Sequence, residues 1–121
     1  MKPGFPSWVG VVCDDLKGQR RFYEDVLGMR VVSEGESWIH FDLGTGPEFE
    51  LIRRSNEPQY DGVRYQVGFA VDDIEAARRE LVARGGTPIS EIIGTKGEGR
   101  WAYFKDPEGN VFEIKEAAHP A

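Results

Sequence analysis

The chain has 121 residues, with 15 Lys and Arg against 21 Asp and Glu, a formal net charge of −6 and a pI near 4.9. An acidic balance without a clustered basic stretch excludes nucleic acid as the expected partner, because a phosphate backbone needs a local excess of Lys and Arg. Nowhere do about eighteen apolar residues follow one another, which argues against a spanning helix, and the lone Cys13 cannot close an internal disulfide, so a cytoplasmic protein with no membrane partner is expected.

Ser7 to Cys13 is β-branched and aromatic and reads as a strand ending at Asp14 and Asp15, which suit a turn and a helix N-cap. From Leu16 the apolar positions Leu16, Tyr23, Val26 and Leu27 fall near helical spacing. Gly28 suits the left-handed residue just past a helix end. Shorter strands follow over Arg30 to Glu34, Ser37 to Leu43 and Glu48 to Arg53, with Gly44 to Pro47 as a turn and the polar stretch Ser55 to Gly62 as a linker. Cys13, with no nearby His or Lys to lower its pKa, reads as a small buried apolar residue.

The rest of the chain repeats this order. A strand over Tyr65 to Val71 leads to caps at Asp72 and Asp73, a helix with Ile74, Ala77 and Leu81 on one side, and a stop at Gly85 and Gly86. Strands over Thr87 to Ile93, Arg100 to Lys105 and Val111 to Lys115 follow, the last two joined by the tight loop Asp106 to Asn110. A shift of 58 residues carries Asp14, Asp15, Leu16, Arg20, Arg21 and Gly28 onto Asp72, Asp73, Ile74, Arg78, Arg79 and Gly86. A shift of 63 carries Trp38, Phe41, Gly46, Phe49 and Glu50 onto Trp101, Phe104, Gly109, Phe112 and Glu113. Self-similarity of this kind marks a duplicated module. The expected organisation is a single domain, 1–121, with modules 1–58 and 59–121.

Strand alternation divides the residues between two faces. Phe49 and Leu51, with Ile39, Phe41 and Leu43, are expected toward the helix, as are Phe112 and Ile114 in the second copy. The other face collects Trp8, Gln66, Trp38, Trp101, His40, Tyr103, Glu50 and Glu113. Three tryptophans left on plain solvent surface would form a sticky patch. A sheet that folds this face inward would make an aromatic cavity with a few polar groups, the usual composition of a small-molecule site, where the two copies face each other. An ordinary second core or a dimer interface would bury the same residues.

The segment Val11 to Val26, with its Asp15, Leu16 and Phe22, Tyr23 pairs followed by Leu27 and Gly28, resembles the first-module signature of the vicinal oxygen chelate superfamily, the glyoxalase, bleomycin-resistance protein and dioxygenase family. Tyr103, Phe104, Lys105, Asp106, Pro107, Glu108, Gly109 and Asn110, through Glu113, is similar to its most recurrent stretch. The resemblance implies an α+β fold: two βαβββ modules forming a cupped, mixed eight-stranded sheet. In metal-dependent members, four ligands come from positions that correspond here to Trp8, Glu50, Gln66 and Glu113. Glu50, Gln66 and Glu113 could supply oxygen to a divalent ion, whereas an indole has only an N–H donor. The two-His, one-Glu set of fosfomycin transferases and extradiol dioxygenases is missing at the matching positions.

Two functions follow as expectations. One is a binding protein of the bleomycin-resistance kind without a complete metal site, in which Trp8, Trp38 and Trp101 stack on a planar or cationic small molecule, His40, Gln66 and Tyr103 complete the wall, and Glu50 and Glu113 supply acceptors. The other is a glyoxalase-like lyase or isomerase that holds one divalent metal ion and uses Glu50 or Glu113 as a general base beside a carbonyl. A homodimer is expected in either case. Gly94 to Gly99, rich in glycine, reads as a hairpin loop or a lid.

Overall fold

The computed structural model describes residues 3–4, 6–44 and 48–117. Among the described residues, strands of both directions and two α-helices make an α+β fold that divides into two compact units, Trp8–Gln66 and one made mainly of the residues from Val67 on. No helix among the described residues is long and apolar enough to cross a membrane.

The first unit begins with β1 (Pro6–Cys13) and the short helix α1 (Leu16–Arg21). Asp15 caps α1 by accepting the Gly18 N–H at 3.0 Å. A Cβ at Gly18 would sit 2.4 Å from that carboxylate, so only glycine lets the cap close this tightly. The helix then widens into a π turn over Phe22–Val26, with Leu27 N–H donating to Phe22 O and Met29 N–H to Tyr23 O. This shift keeps Tyr23 inward against Phe41 and Phe49 but turns Val26 and Leu27 outward, to 67% and 53% exposure. The expectation that both face the core fails because the wider turn breaks the 3.6-residue period on which it rested.

Strands β2 (Arg30–Glu34), β3 (Trp38–Asp42) and β4 (Glu48–Arg53) complete the unit in the order β2, β3, β4, β1, antiparallel except for the parallel β4–β1 pair. The core contains Val11, Ile39, Phe41 and Leu51, with Leu16, Tyr23, Met29, Val31 and Phe49 packed around it. Leu51, fully buried, contributes about 2 kcal/mol by burial alone. Leu43 does not join this face. It is 51% exposed because β3 stops at Asp42, whose carboxylate takes the Gly44 N–H and turns the chain. The first-copy turn proposed at Gly44 to Pro47 lies mostly outside the described residues. Cys13 is buried, with its thiol against the Ile52 carbonyl at 3.5 Å, and burial, with Asp14 and Asp15 nearby, pushes its pKa up.

The second unit contains most of β5 (Tyr65–Ala70), then α2 (Ile74–Ala83), β6 (Thr87–Pro88), β7 (Ile93–Thr95), β8 (Gly99–Lys105) and β9 (Val111–Glu116). Its strand order is β5, β9, β8, β6, with β7 also on β8 and only β5–β9 parallel. Asp73 caps α2 by accepting the Ala76 N–H, and Gly85 past the helix end takes φ +93°. Val71, Ile74, Ala77, Ala102, Phe104 and Ile114 form the core.

The strand expected over Thr87 to Ile93 splits into β6 and β7, so eight expected strands become nine among the described residues. At the break the Ser90 hydroxyl accepts the Tyr103 N–H that a strand carbonyl would otherwise take. The Ser90 carbonyl turns instead to the Arg78 guanidinium at 3.0 Å. Gly94 to Gly99 is a hairpin rather than a loose loop. Ile93, Gly94 and Thr95 pair with Trp101, Arg100 and Gly99, and Glu98 N–H closes the turn on Thr95 O.

Candidate functional site

In the first unit the sheet register brings four predicted residues together. Glu50 on β4 stands between Gly10 of β1 and His40 of β3. The Trp8 ring lies over Gly10, where a Cβ would come 2.3 Å from the indole edge, so glycine is needed for the ring to lie flat. In that pose Trp8 Nε1–H donates to Glu50 Oε1 at 2.8 Å. His40 Nε2 approaches the same oxygen at 3.0 Å. Trp38, two residues before His40 and therefore on the same face, packs against its ring with centroids 4.9 Å apart. Trp8 is buried, while Trp38, His40 and Glu50 are partly open to solvent.

Gln66 sits at the end of the same unit and is 1% exposed. Its Nε2 donates to the Gln59 carbonyl at 2.6 Å, and among the described residues its Oε1 is a buried acceptor without a hydrogen bond. Gln59 was not foreseen. It lies in the stretch Ser55 to Gly62 read as a linker, yet a 3₁₀ turn, Pro58–Tyr60, buries it, and the Arg54 guanidinium donates to the Tyr60 carbonyl behind it. Val12 N–H donates to Arg64 O, which brings this segment alongside β1.

In the second unit Tyr103 and Glu113 are register partners, both buried, and Gly68 pairs with Glu113 from the other side. A Cβ at Gly68 would stand 2.7 Å from Glu113 Oε1, so here too a glycine makes room for the carboxylate. Trp101, half-buried, packs over Gly94 of the hairpin. The predicted residues thus divide between the units, with Trp8, Trp38, His40, Glu50 and Gln66 in one and Trp101, Tyr103 and Glu113 in the other.

A buried ionic cluster escaped the sequence reading. Arg100 donates to Glu116 from Nε and Nη2 at 3.1 and 3.0 Å and to Glu75 at 2.9 Å. Glu116 Oε2 also takes the first amide of α2, Ile74 N–H, at 2.9 Å. Glu75 first and Glu116 second raise the Arg100 pKa further, so its charge is permanent. Arg100 and Glu116 are direct partners across β8 and β9, a signal available to cross-strand charge matching.

For the metal set implied by the resemblance, the residues give these donors. Trp8 offers only an N–H, and it is engaged with Glu50. Glu50 Oε1 already receives the Trp8 N–H and has His40 Nε2 3.0 Å away, and Gln66 offers one amide oxygen. Among the described residues no group of three or more His, Cys, Asp and Glu is placed to hold a metal ion.

The model of the Glyoxalase/Bleomycin resistance protein/Dioxygenase superfamily matches residues 6–114. The chain belongs to that superfamily. Among superfamily relatives it is 31% identical over 114 residues to lactoylglutathione lyase of Haemophilus influenzae, covering 84% of each chain. It is 29% identical over 120 residues to the protein CFP32 of Mycobacterium tuberculosis, of which it spans 43% of the length. Methylmalonyl-CoA epimerase of Mycobacterium tuberculosis superposes with a TM-score of 0.72 at 22% identity, over 93% of this chain and 87% of that one. A superfamily this varied in chemistry fixes the fold and leaves function to the site.

Proposed function

We propose that this member of the superfamily binds a small planar organic molecule without a metal ion. The observation that carries this reading is the 2.8 Å hydrogen bond from Trp8 Nε1–H to Glu50 Oε1. At the position where metal-dependent relatives would place a ligand, a group that cannot ligate binds the carboxylate that could. Of the implied ligand set, the first unit leaves one partly engaged carboxylate and one amide oxygen, fewer than the several oxygen or nitrogen donors a divalent ion prefers.

The ligand-binding residues of this reading are Trp8, Trp38, His40 and Gln66 in the first unit and Trp101 and Tyr103 in the second. Trp38 supplies an accessible aromatic face, and Trp8 serves from behind by fixing Glu50. The cationic ligand is less favoured than a neutral one, because His40 and Trp8 already lie on the Glu50 oxygen that would serve as counter-charge. The reading includes a cytoplasmic homodimer, for which the exposed Val26, Leu27 and Val32 offer apolar surface.

Tryptophan emission titrated with matched neutral, cationic and anionic naphthalene derivatives tests it. Saturable quenching, weakened in Trp38→Ala, is expected. No response to any of the three compounds contradicts the reading.

A metal-dependent lyase or isomerase acting through Glu50 and Glu113 is the second reading. In its favour are the Gln66 Oε1 acceptor, without a hydrogen bond among the described residues, the buried Glu113 and the likeness to lactoylglutathione lyase. It requires an ion to be held despite Trp8, and metal retention separates the two readings.

A further inference from the structure

The turn between β2 and β3 carries a glycine that left-handed backbone does not explain. Gly35 is exposed and its φ is not positive, so the usual reason for a glycine in a turn is missing there. What a side chain at this position could not do is share space with Trp38. A Cβ at Gly35 would stand 2.3 Å from Trp38 Nε1 and 2.7 Å from Cε2, well inside the roughly 3.5–4 Å at which heavy atoms come to rest. The atoms it would meet are the rigid pyrrole edge of an indole rather than the tip of a flexible chain, so the whole ring would have to move. Nor is the turn free to swing aside, because Gly35 N–H donates to Trp38 O at 2.9 Å and ties the two backbones together.

The ring seated in this way is the accessible aromatic group of the first unit. Trp38 is partly open to solvent, with its pyrrole edge on Gly35 and the His40 ring against it. Trp8 is buried with its N–H on Glu50, so its pose belongs to folding. An aromatic ring whose pose is set before a ligand arrives loses less freedom on binding than one the ligand must order, and fixing one such side chain in advance is worth about two- to tenfold in affinity.

We propose that Gly35 is a positioning residue for ligand binding: by carrying no side chain it seats the Trp38 indole against the β2–β3 turn and so presets the face on which a planar molecule stacks. This rests on the binding reading and deepens it with a residue that acts only through Trp38. Alanine already brings the Cβ that the seat excludes.

Gly35→Ala in the full chain tests it, with two readouts. The first is the set of three indole N–H resonances of nitrogen-15-labelled protein, assigned through Trp8→Phe, Trp38→Phe and Trp101→Phe. Gly35→Ala is expected to move the Trp38 resonance and leave those of Trp8 and Trp101 in place, a selectivity that general loss of structure would not give. The second is quenching of tryptophan emission by 2-naphthamide, a neutral planar molecule. Half-saturation in Gly35→Ala is expected to need about three- to tenfold more of it than in wild type, while Glu36→Ala in the same turn stays within about twofold.

An unmoved Trp38 resonance overturns the proposal. Movement or loss of all three resonances together overturns it as well, since residue 35 would then serve the fold and not the ring. A displaced Trp38 resonance with wild-type half-saturation removes the positioning role and leaves the binding reading standing, whereas absence of quenching in the wild type removes both.

Discussion

Trp8 and Glu50, 42 residues apart in the chain, are joined by a hydrogen bond from indole Nε1–H to carboxylate Oε1 at 2.8 Å. The contact exists because Gly10, two residues after Trp8 and opposite Glu50 in the parallel β1–β4 register, has no side chain to lift the ring. A hydrogen bond to a charged acceptor, formed by a buried donor, is worth about 2 kcal/mol. It orients the one oxygen that His40 also approaches, so the local shape of β1 determines how the site's imidazole is presented.

Removing the indole N–H therefore destabilises the first unit beyond the loss of ring area. Trp8→Phe is expected to lower the urea midpoint, and a double-mutant cycle with Glu50→Ala should return a coupling of about 1–2 kcal/mol. Additive effects would mean that the bond contributes nothing in solution.

The Arg100–Glu116 pair predicts unequal effects from two acids on the same guanidinium. Glu116 is 4% exposed, bonds Arg100 twice and caps Ile74 N–H, so Glu116→Ala strands a buried charge and is expected to cost about 3 kcal/mol. Glu75 keeps 55% of its side-chain exposure, and Glu75→Ala should cost less than about 1 kcal/mol. Equal losses in chemical denaturation would show that burial of Glu116 does not govern the cluster.

Acid should weaken the β8–β9 turn through Asp106. The Asn110 side-chain amide first, then the backbone amides of Asn110, Glu108 and Gly109, hold its carboxyl below the ordinary value. A group whose pKa is depressed by folding adds stability that is fully present above its unfolded pKa, about 4, and is lost as pH falls through the lower folded value. Asp106→Ala should therefore be less stable than wild type at neutral pH, with the gap narrowing below about pH 4. A gap that is constant down to pH 2, followed by thermal unfolding, would contradict this.

What the sequence reveals here is what local chemistry controls. Asp15 and Asp73 cap their helices, Gly28 and Gly85 take positive φ, and Glu50 falls opposite Phe49 and Leu51 because alternation needs only neighbours. The failures have distant causes. Val26 and Leu27 turn outward through a π turn, the strand after α2 breaks where Ser90 meets Arg78, and Gln59 is buried because Gln66 reaches back to its carbonyl. Glu116 lies one residue past the strand expected over Val111 to Lys115, and in the structure it extends that strand opposite Arg100. That Trp8, Trp38, His40 and Glu50 lie close together follows from alternation and register, but the bonding among them does not. A Trp at a ligand position shows that one donor is lost, whereas its hold on the neighbouring carboxylate depends on ring pose.

Metal content after loading tests the central claim most directly. The purified protein is incubated with Mn, Fe, Co, Ni and Zn salts, dialysed extensively and measured by elemental analysis. With Trp8 bound to Glu50, retention well below one ion per chain is expected for every metal, and Glu50→Ala and Glu113→Ala should behave like wild type. Near-stoichiometric retention of any of these metals, lost in Glu50→Ala or Glu113→Ala, would contradict the metal-free account and restore the lyase or isomerase reading.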